Sequence, residues 1–409
     1  MDSTIRVSRD RFFTALTAAG MPEVPGQFSV VPFPQTIFRT TLAEIDAFIR
    51  LFDRVTTSPT WQQTVTGDAP QIARRKRSEI CFFTAWDFHL SPEQGWQLIE
   101  CNDNGSGFLF AGLINCLFYE LSALGSCSII EPPPTIACFT EHVVNMVRRE
   151  ATEFFGALPE GLFLVLDDAE SLQRGKFRQE LFLLRDLFHA QGWQSAVGSP
   201  TEMQWDGRRL LWDGQEVSFI VNRSTDFFWQ AEVFASLRVA YQEGSVYVAP
   251  NPFTYATRSD KRLLEFLSLP QWDTALGIYP EERAVLSAHV PATYPLREDN
   301  VEEVARRKEE FFFKPFHGFA GRGVLTSAGV GRSRLHRLLK KGEGYIAQKR
   351  VSKPLLRGEG IPESPLLWTD LRVWAYRGER FLLSDRASCR PDLLDLTLPG
   401  GWLPTYAQA

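Results

Sequence analysis

The sequence predicts a mixed α/β fold with two or three subdomains. Strand-like and helix-like patterns alternate in the middle of the chain, and antiparallel strand pairs are predicted before and after that region. The chain has 409 residues, of which 44% are hydrophobic and 13% are aromatic, so it can bury more than one core. We divide it into three predicted sections, residues 1–155, 156–255 and 256–409.

The first section combines amphipathic helices with a strand hairpin. Apolar residues recur at helical spacing over residues 41–53, and again over residues 139–154 after three consecutive prolines. Between these helices, two strand-like runs cover residues 80–89 and 96–101. The short segment that separates them contains Pro and Gly, which favour a turn. The two strands therefore form a predicted hairpin.

The middle section has the pattern of a parallel sheet with crossover helices. A buried-strand run over residues 162–167 is followed by a helix over residues 177–188, and further strands at residues 217–221 and 246–249 flank a helix over residues 227–241. This order is typical of a compact Rossmann-like unit. No Gly-x-Gly-x-x-Gly turn follows the first strand, so a dinucleotide site has no support.

The third section reads as mixed α/β structure with antiparallel pieces. It begins with a helix over residues 263–267 and continues with strand-like runs at residues 311–314, 345–351 and 370–373.

Composition excludes several classes of function. The formal net charge of -5 gives no general attraction to nucleic acid or anionic membranes. The six cysteines contain no C-x-x-C pair, and we interpret them as reduced core thiols of a reducing compartment. The N-terminus lacks a signal-peptide pattern, and no apolar run reaches the roughly 18 residues of a membrane span. We expect a soluble, cytoplasmic protein.

The predicted hairpin carries the donor set of a magnesium site. Glu100 and Asn102 lie two residues apart, on one face of a strand, and the hairpin places Asp87 on the neighbouring strand beside them. Carboxylate and amide oxygens are the ligands that Mg²⁺ prefers. The residues around Glu100 are apolar, and an unpaired buried carboxylate costs several kcal/mol, so a metal partner is favoured over a solvated surface.

A second segment has the pattern of a phosphate-binding element. Lys314 ends an apolar strand-like run and precedes a proline, after which Gly318, Gly321 and Gly323 give the chain freedom to fold over phosphate oxygens. Taken alone, a glycine-rich turn is a weak motif, and a plain hairpin with an incidental lysine also fits it.

Together the two segments resemble the ATP-grasp superfamily, whose metal-binding Glu-x-Asn normally lies near the end of the chain. Here it lies near the start. This order resembles the circularly permuted branch, which includes the synthetase domain of glutathionylspermidine synthase. The resemblance implies a circularly permuted ATP-grasp fold with a Rossmann-like pre-ATP-grasp unit, using ATP and Mg²⁺.

The resemblance also assigns roles to individual residues. Lys261 resembles the first phosphate-binding lysine of the family. Lys314, with the proline and the glycine-rich loop after it, resembles the element that covers the phosphates, and Arg372 resembles the arginine of an Asp-x-Arg strand. Arg386 is a further candidate for holding phosphate or carboxylate oxygens, because a guanidinium can bind two at once, although a surface pair with Asp385 or Asp392 fits equally. The catalytic candidates are therefore Arg372, Lys314 and Arg386.

The adenine site is predicted at a strand end formed by Gln348, Lys349 and Val351. Two positions depart from the family. Gln348 stands near a position where the family usually has glutamate, and Ala85, two residues before Asp87, stands where the branch commonly has a phosphate-binding arginine. Another residue must supply that positive charge.

The implied activity is that of an ATP-dependent carboxylate–amine ligase that releases ADP and forms an amide or peptide bond through an acyl phosphate. Its partners would be small-molecule or peptide carboxylates and amines, and the chain could form a homodimer. Two alternatives stay open: an ATP-grasp-type small-molecule kinase, and a nucleotide-binding regulatory module without turnover, which Ala85 and Gln348 favour.

Overall fold

The computed structural model describes residues 9–19, 29–317, 323–342, 344–357, 366–392, 394 and 396–409. The helices of these residues are α1 (Arg9–Ala18), α2 (Arg39–Thr57), α3 (Pro59–Thr66), α4 (Gln71–Arg74), α5 (Phe108–Leu121), α6 (Ile136–Phe155), α7 (Ala169–Arg174), α8 (Arg178–His189), α9 (Ala235–Glu243), α10 (Pro252–Thr254), α11 (Leu263–Ser268), α12 (Asp273–Leu276), α13 (Pro280–His289), α14 (Val301–Arg306) and α15 (Arg332–Lys340).

The strands are β1 (Gln35–Phe38), β2 (Ala85–Ser91), β3 (Gly95–Asn102), β4 (Leu162–Leu166), β5 (Ser195–Gly198), β6 (Met203–Trp205), β7 (Leu210–Trp212), β8 (Gln215–Asn222), β9 (Tyr247–Ala249), β10 (Thr293–Pro295), β11 (Phe311–Pro315), β12 (Tyr345–Lys349), β13 (Leu355–Leu356), β14 (Leu367–Tyr376), β15 (Glu379–Ser388), β16 (Gly401–Leu403) and β17 (Thr405–Gln408).

The central sheet joins the two ends of the chain. Its strand order is β16-β15-β14-β2-β3, with β13 beside β14, and all its pairs are antiparallel. The predicted hairpin is confirmed as β2 and β3, although β2 begins at Ala85 rather than at residue 80. The first and third predicted sections therefore share one sheet, through the pairing of β14 with β2.

The two faces of the central sheet differ in polarity. On one face, Trp86, Phe88 and Val373 pack against apolar residues of α2, which include Phe48 and Phe52. This burial confirms the predicted helix over residues 41–53 as part of α2. The other face carries charged side chains, because successive residues of a strand point to opposite sides of a sheet.

Helix α5 supplies a core that the sequence periodicity did not predict. Residues 108–118 are all buried, and the helix packs with α1, α6 and α8 in the largest hydrophobic cluster among the described residues. A helix that is apolar on all sides shows no amphipathic stripe, so its sequence pattern is not distinctive.

The middle section forms a second sheet with the order β5-β4-β8-β7-β6 and with β9 beside β8. Strands β5, β4, β8 and β9 are mutually parallel, as predicted from the alternation of strands and helices. Helix α8 packs on one face and α9 on the other. The predicted helix over residues 227–241 was too long. It begins only at Ala235, because Trp229 has a left-handed φ of 50° that an α-helix excludes.

A third sheet has the order β10-β12-β11. Its outer side packs against α14 and α15 around Phe311, Phe313 and Leu335. Its inner side contacts the hairpin, where the Gln348 side-chain amide donates to the carbonyl oxygen of Ile99 at 3.1 Å. Lys314 on β11 lies close enough to Asp87 and Glu100 of the hairpin for their charges to interact, and we call the region between these side chains the cleft.

The prediction that all six cysteines are core thiols was only partly correct. All six are free, and Cys81, Cys101 and Cys116 are buried. Cys138 and Cys389 are exposed. Cys138 lies on the solvent side of α6, whose buried side is defined by residues such as Phe139 and Val143. No helix within the described ranges is long and apolar enough to cross a membrane.

Candidate active site

The charged face of the central sheet gathers candidate residues from four strands. Arg372 on β14 pairs across the ladder with Asp87 on β2, and Asp87 pairs with Glu100 on β3. On the other side of β14, Asp370 lies opposite Arg386 of β15. Cross-strand neighbours on one face of a sheet lie close enough for their side chains to interact. The fold therefore brings Arg372, Arg386, Asp87 and Glu100 into one cluster.

Asp87 is the anionic centre of this cluster. Arg372 binds it with both arms of its guanidinium, Nε to Oδ1 at 2.6 Å and Nη2 to Oδ2 at 2.7 Å. Nη2 of Arg386 lies 3.1 Å from Oδ2, while its Nε donates to Asp370 Oδ1 at 2.8 Å. Burial by itself raises the pKa of Asp87, but the two arginines outweigh it and hold that pKa below the usual value.

Glu100 and Asn102 form the end of the cluster on β3. The Asn102 amide nitrogen donates to Glu100 Oε1 at 3.1 Å and to Asp87 Oδ2 at 3.2 Å. Lys261 reaches the same carboxylate, with Nζ 3.5 Å from Glu100 Oε2. Burial raises the pKa of Glu100, but Lys261 and Lys314 outweigh it and lower that pKa overall.

Lys314 points into the cleft from the facing sheet. It is buried at the end of β11, and burial lowers the pKa of its ammonium to about 8 against the attraction of Glu100. Lys261 and Lys353 lower that pKa further by repulsion. Four basic side chains (Arg372, Arg386, Lys261 and Lys314) therefore surround three carboxylates (Asp87, Glu100 and Asp370), so the cluster has an excess of positive charge. Such an excess favours a polyanion.

The residues fit a magnesium ion only in part. Glu100 keeps a quarter of its side chain exposed, and the Asn102 amide can turn its oxygen towards a cation. Asp87 accepts contacts from four donor atoms, and a carboxylate has about four lone-pair sites, so none is left for a metal ion. Within the described residues, no group of three or more His, Cys, Asp or Glu is arranged to hold a metal. The donor set suits a cation that arrives with a polyphosphate better than a free cation.

The predicted adenine strand lies at the edge of the cleft, and its three candidates have different environments. Gln348 is buried and is bonded to the backbone of β3. Val351 is buried, and its carbonyl oxygen lies 3.4 Å from Nδ1 of His89. Lys349 is exposed, and its backbone N–H donates to the carbonyl oxygen of Ala292. The strand therefore joins the two sheets on either side of the cleft.

Of the predicted phosphate loop, Gly318 and Gly321 lie outside the described residues. Gly323 closes the loop with a left-handed φ of 75°, which few residues other than glycine adopt. Its carbonyl oxygen accepts a hydrogen bond from the Tyr345 hydroxyl at 3.1 Å.

The sequence prediction missed the residues that connect these parts. Asp103 is buried, accepts a hydrogen bond from Thr84, and donates its backbone N–H to Ser259 Oγ at 2.6 Å. Arg258 lies between Asp103 and Asp53. This network ties the end of β3 to the segment that carries Lys261. The only sequence signal for this network was Asp103, a further carboxylate directly after Glu100 and Asn102.

No family model and no curated protein matches the sequence. Among solved structures, the fold is similar to a glutathione synthetase-like effector from Globodera pallida in its apo form. The match has a TM-score of 0.60 and 10% identity, and it covers 99% of each chain.

Two further solved structures have TM-scores below 0.5 and add nothing to the fold assignment. A proposed γ-glutamylcysteine synthetase from Methylobacillus flagellatus KT has a TM-score of 0.49 and 10% identity, covering 88% of this chain and 85% of the other. The ATP-grasp ligase PsnB, in complex with a minimal precursor, has a TM-score of 0.31 and 14% identity, covering 55% of this chain and 90% of the other. The chain therefore shares its overall fold with the glutathione synthetase-like effector.

Proposed function

We propose that this chain is an ATP-dependent carboxylate–amine ligase with a circularly permuted ATP-grasp arrangement. The observation that carries the proposal is the cluster in the cleft. There Lys261 and Lys314 lie near Glu100, and Arg372 and Arg386 bind the neighbouring Asp87. A site with excess positive charge and one accessible carboxylate suits a nucleoside triphosphate that binds as its complex with a divalent cation. The fold similarity to a glutathione synthetase-like effector is consistent with this assignment.

Magnesium would be held by Glu100 and Asn102, while Asp87 keeps the two arginines in place. When bound, the ion would neutralise phosphate charge and orient the transferred group. Arg372 and Arg386 already hold each other's positions through Asp87 and Asp370. They would therefore meet developing negative charge without rearranging much, which is the condition for electrostatic catalysis.

The remaining candidates would bind the nucleotide. Lys261 and Lys314 would contact the phosphates, Gly318, Gly321 and Gly323 would cover them, and the strand end at Gln348, Lys349 and Val351 would meet adenine. Covering the phosphates would exclude water, which hydrolyses an acyl phosphate.

The reaction balances in two steps. A carboxylate oxygen of the first substrate attacks the γ-phosphorus of ATP, the bond to the β-phosphate oxygen breaks, and ADP leaves. The nitrogen of the amine then attacks the carbonyl carbon of the acyl phosphate. Inorganic phosphate leaves, the nitrogen loses a proton, and an amide remains.

The first test is calorimetric titration with a non-hydrolysable ATP analogue, with and without Mg²⁺. We expect magnesium-dependent binding that Glu100→Gln and Lys314→Ala each weaken at least tenfold. Lys340→Ala, which changes an exposed lysine on α15, is the matched control and should bind like the wild type. Absence of nucleotide binding in the wild type would refute the proposal.

The second test follows ADP release with panels of carboxylates and amines. Release that requires both an amine and a carboxylate supports the ligase. A stable phosphate ester formed without amine would identify a kinase instead, because the acyl phosphate of the ligase hydrolyses. Nucleotide binding without turnover would identify a regulatory module.

A further inference from the structure

We propose that Ser259 is a positioning residue of the nucleotide site, and that its hydroxyl group holds Lys261 at a fixed place relative to Glu100 and Asn102. The inference rests on the ligase function proposed above, in which Lys261 contacts the phosphates and the Glu100–Asn102 pair holds magnesium. A nucleotide and the cation bound to it form one ligand, so the groups that bind them must keep a defined separation. Ser259 acts through Lys261 and is assigned no contact with the nucleotide.

A buried hydrogen bond joins the two halves of this site. The backbone N–H of Asp103 donates to Ser259 Oγ at 2.6 Å, and the two residues are only 1% and 8% exposed. Asp103 directly follows Asn102, and Ser259 precedes Lys261 by two residues. A buried N–H group that loses its acceptor costs free energy, so the folded protein keeps this bond. The bond therefore connects the end of β3 to the segment that carries the lysine.

The Asp103 side of this hydrogen bond is held by further contacts. Its carboxylate accepts a hydrogen bond from the Thr84 hydroxyl at 2.8 Å, directly before β2. Its carbonyl oxygen accepts one from the Cys81 thiol at 2.9 Å. Because the strand end is held without Ser259, loss of the Ser259 hydroxyl should release the segment of Lys261 and leave the strand in place.

On the other side of the bond, Ser259 is the anchor nearest to Lys261. Two earlier residues of the segment are also anchored. The Thr257 carbonyl oxygen accepts a hydrogen bond from Trp61 Nε1 at 2.9 Å, and Arg258 pairs with Asp53 on α2. Both contacts precede Ser259 in the chain, so they leave the last step to the lysine to the Ser259 hydroxyl.

The backbone around Lys261 gives this anchor its influence. Residues Tyr255–Ser259 form one turn of π-helix, and Asp260 then has extended backbone angles (φ −61°, ψ 122°). Helix α11 begins only at Leu263, so Lys261 lies between two helical segments and belongs to neither. Single π-turns are rare and frequently mark functional sites. A side-chain contact two residues before the lysine can therefore set where it lies.

The surroundings of the Lys261 side chain leave it space. A pocket of about 10 Å³ is lined by Glu100, Ser259 and Lys261 together with leucines of α11, whereas protein interiors contain few voids as large as a water molecule. Lys261 Nζ lies 3.5 Å from Glu100 Oε2, beyond the usual reach of about 3.2 Å for a hydrogen bond. Packing and this ion pair therefore do not lock the ammonium in place, and the backbone anchor at Ser259 limits its movement.

A double-mutant cycle tests whether Ser259 acts through Lys261. The Kd of the non-hydrolysable ATP analogue is measured by calorimetric titration with Mg²⁺ for the wild type, Ser259→Ala, Lys261→Ala and the double variant. We expect Ser259→Ala to raise the Kd at least fivefold and Lys261→Ala at least tenfold. In the Lys261→Ala background, adding Ser259→Ala should change the Kd less than twofold, because the residue that Ser259 positions is already missing.

Ser268→Ala is the matched control for the loss of a buried hydroxyl. Ser268 is also 8% exposed, and its Oγ accepts the backbone N–H of Thr293 at 3.0 Å. Urea unfolding should show that Ser259→Ala and Ser268→Ala both destabilise the protein, whereas only Ser259→Ala weakens nucleotide binding. Ser259→Thr keeps the hydroxyl and should recover part of the affinity. If Ser259→Ala does not fold, Ser259→Cys replaces it, since a thiol is of similar size but a weak acceptor, and it should also raise the Kd.

The outcomes separate this inference from the ligase proposal. Wild-type affinity in folded Ser259→Ala or Ser259→Cys would overturn the positioning role and leave the ligase proposal intact. The same holds for an equal effect of Ser259→Ala with and without Lys261, and for an equal rise of the Kd in Ser268→Ala. A wild type that binds no nucleotide would refute the ligase proposal, and the positioning role with it.

Discussion

At the residue scale, the close packing around Ala85 explains why the positive charge of the cluster comes from other strands. A Cβ added at Gly105 would lie 2.7 Å from the Ala85 Cβ and 2.2 Å from the carbonyl oxygen of Phe83. The backbone after β3 therefore packs directly over Ala85, and an arginine at that position has no room. Arg372 and Arg386 approach Asp87 from β14 and β15 instead. The positive charge beside Asp87 thus comes from β14 and β15, which are distant from it in the sequence.

Lys314 gives the site a predicted pH dependence. Its folded-state pKa of about 8 lies below the ordinary value of 10.5, because burial penalises the charged ammonium. As pH rises above about 8, the neutral amine loses its attraction for phosphate, so the Kd of the ATP analogue should rise, by at most tenfold per pH unit. Calorimetric titrations between pH 7 and pH 10 would measure this, with Lys314→Arg as a variant that stays charged. An identical pH profile in both proteins would contradict the assignment.

The lowered pKa of Lys314 affects the stability of the protein in the opposite direction to its nucleotide affinity. Between about pH 8 and pH 10.5 the unfolded state binds more protons at Lys314 than the folded state does. The contribution of Lys314 to the free energy of unfolding therefore increases as pH rises through this window, while nucleotide affinity falls.

At the scale of elements, the start of α5 depends on a helix of the middle section. The carboxylate of Glu180 on α8 accepts hydrogen bonds from the backbone N–H groups of Gly107 and Leu109, both at 2.9 Å. It also pairs with Arg223 at 3.0 Å. A carboxylate at a helix N-terminus satisfies N–H groups that have no partner inside the helix. One buried side chain therefore connects α5, α8 and the loop after β8.

We predict that Glu180→Ala lowers the free energy of unfolding by about 3–5 kcal/mol, because it leaves Arg223 buried without its counter-ion. Urea unfolding would measure the change. Glu170→Ala, an exposed position on α7, should stay within about 0.5 kcal/mol of the wild type. Equal stabilities of the two variants would show that Glu180 is not needed to hold these elements together.

At the scale of the whole molecule, strands from the beginning of the chain pair with strands from its end. Strand β1 pairs in parallel with β17, and β14 lies between β2 and β15. Trp402 of β16 is fully buried, and the Cβ of any residue at position 107 would meet its ring. The last strands therefore belong to the same cores as the first section.

Removal of residues 401–409 should prevent folding. The truncation deletes β16 and β17, including buried Trp402 and Tyr406, and losing one large aromatic side chain already costs about 3–5 kcal/mol. Total stability is commonly about 5–15 kcal/mol. Soluble yield and circular dichroism would report the outcome, with removal of Ala409 alone as the control. A soluble truncated protein that still binds the ATP analogue would contradict this prediction.

Local patterns in the sequence predicted much of this structure. Periodicity predicted α2, α6, α8 and the β2–β3 hairpin, because each buries one face or alternates between two environments. Residue chemistry and family resemblance singled out Asp87, Glu100, Lys314, Arg372 and Arg386, and the fold brings these side chains together around one cleft. Their roles in binding and catalysis remain predictions.

Only the tertiary structure decided which partners these residues have. The sequence contains no signal that β14 inserts beside β2, and that pairing is what gives Asp87 its two arginines. It also does not reveal α5, whose burial on all sides removes the periodicity of an amphipathic helix. The sequence by itself determined many of the local elements, among them α2, α6, α8 and the β2–β3 hairpin, and the chemical types at the site. Long-range strand pairing decided their contacts, because it is selected by burial across the whole chain and leaves no short-range pattern.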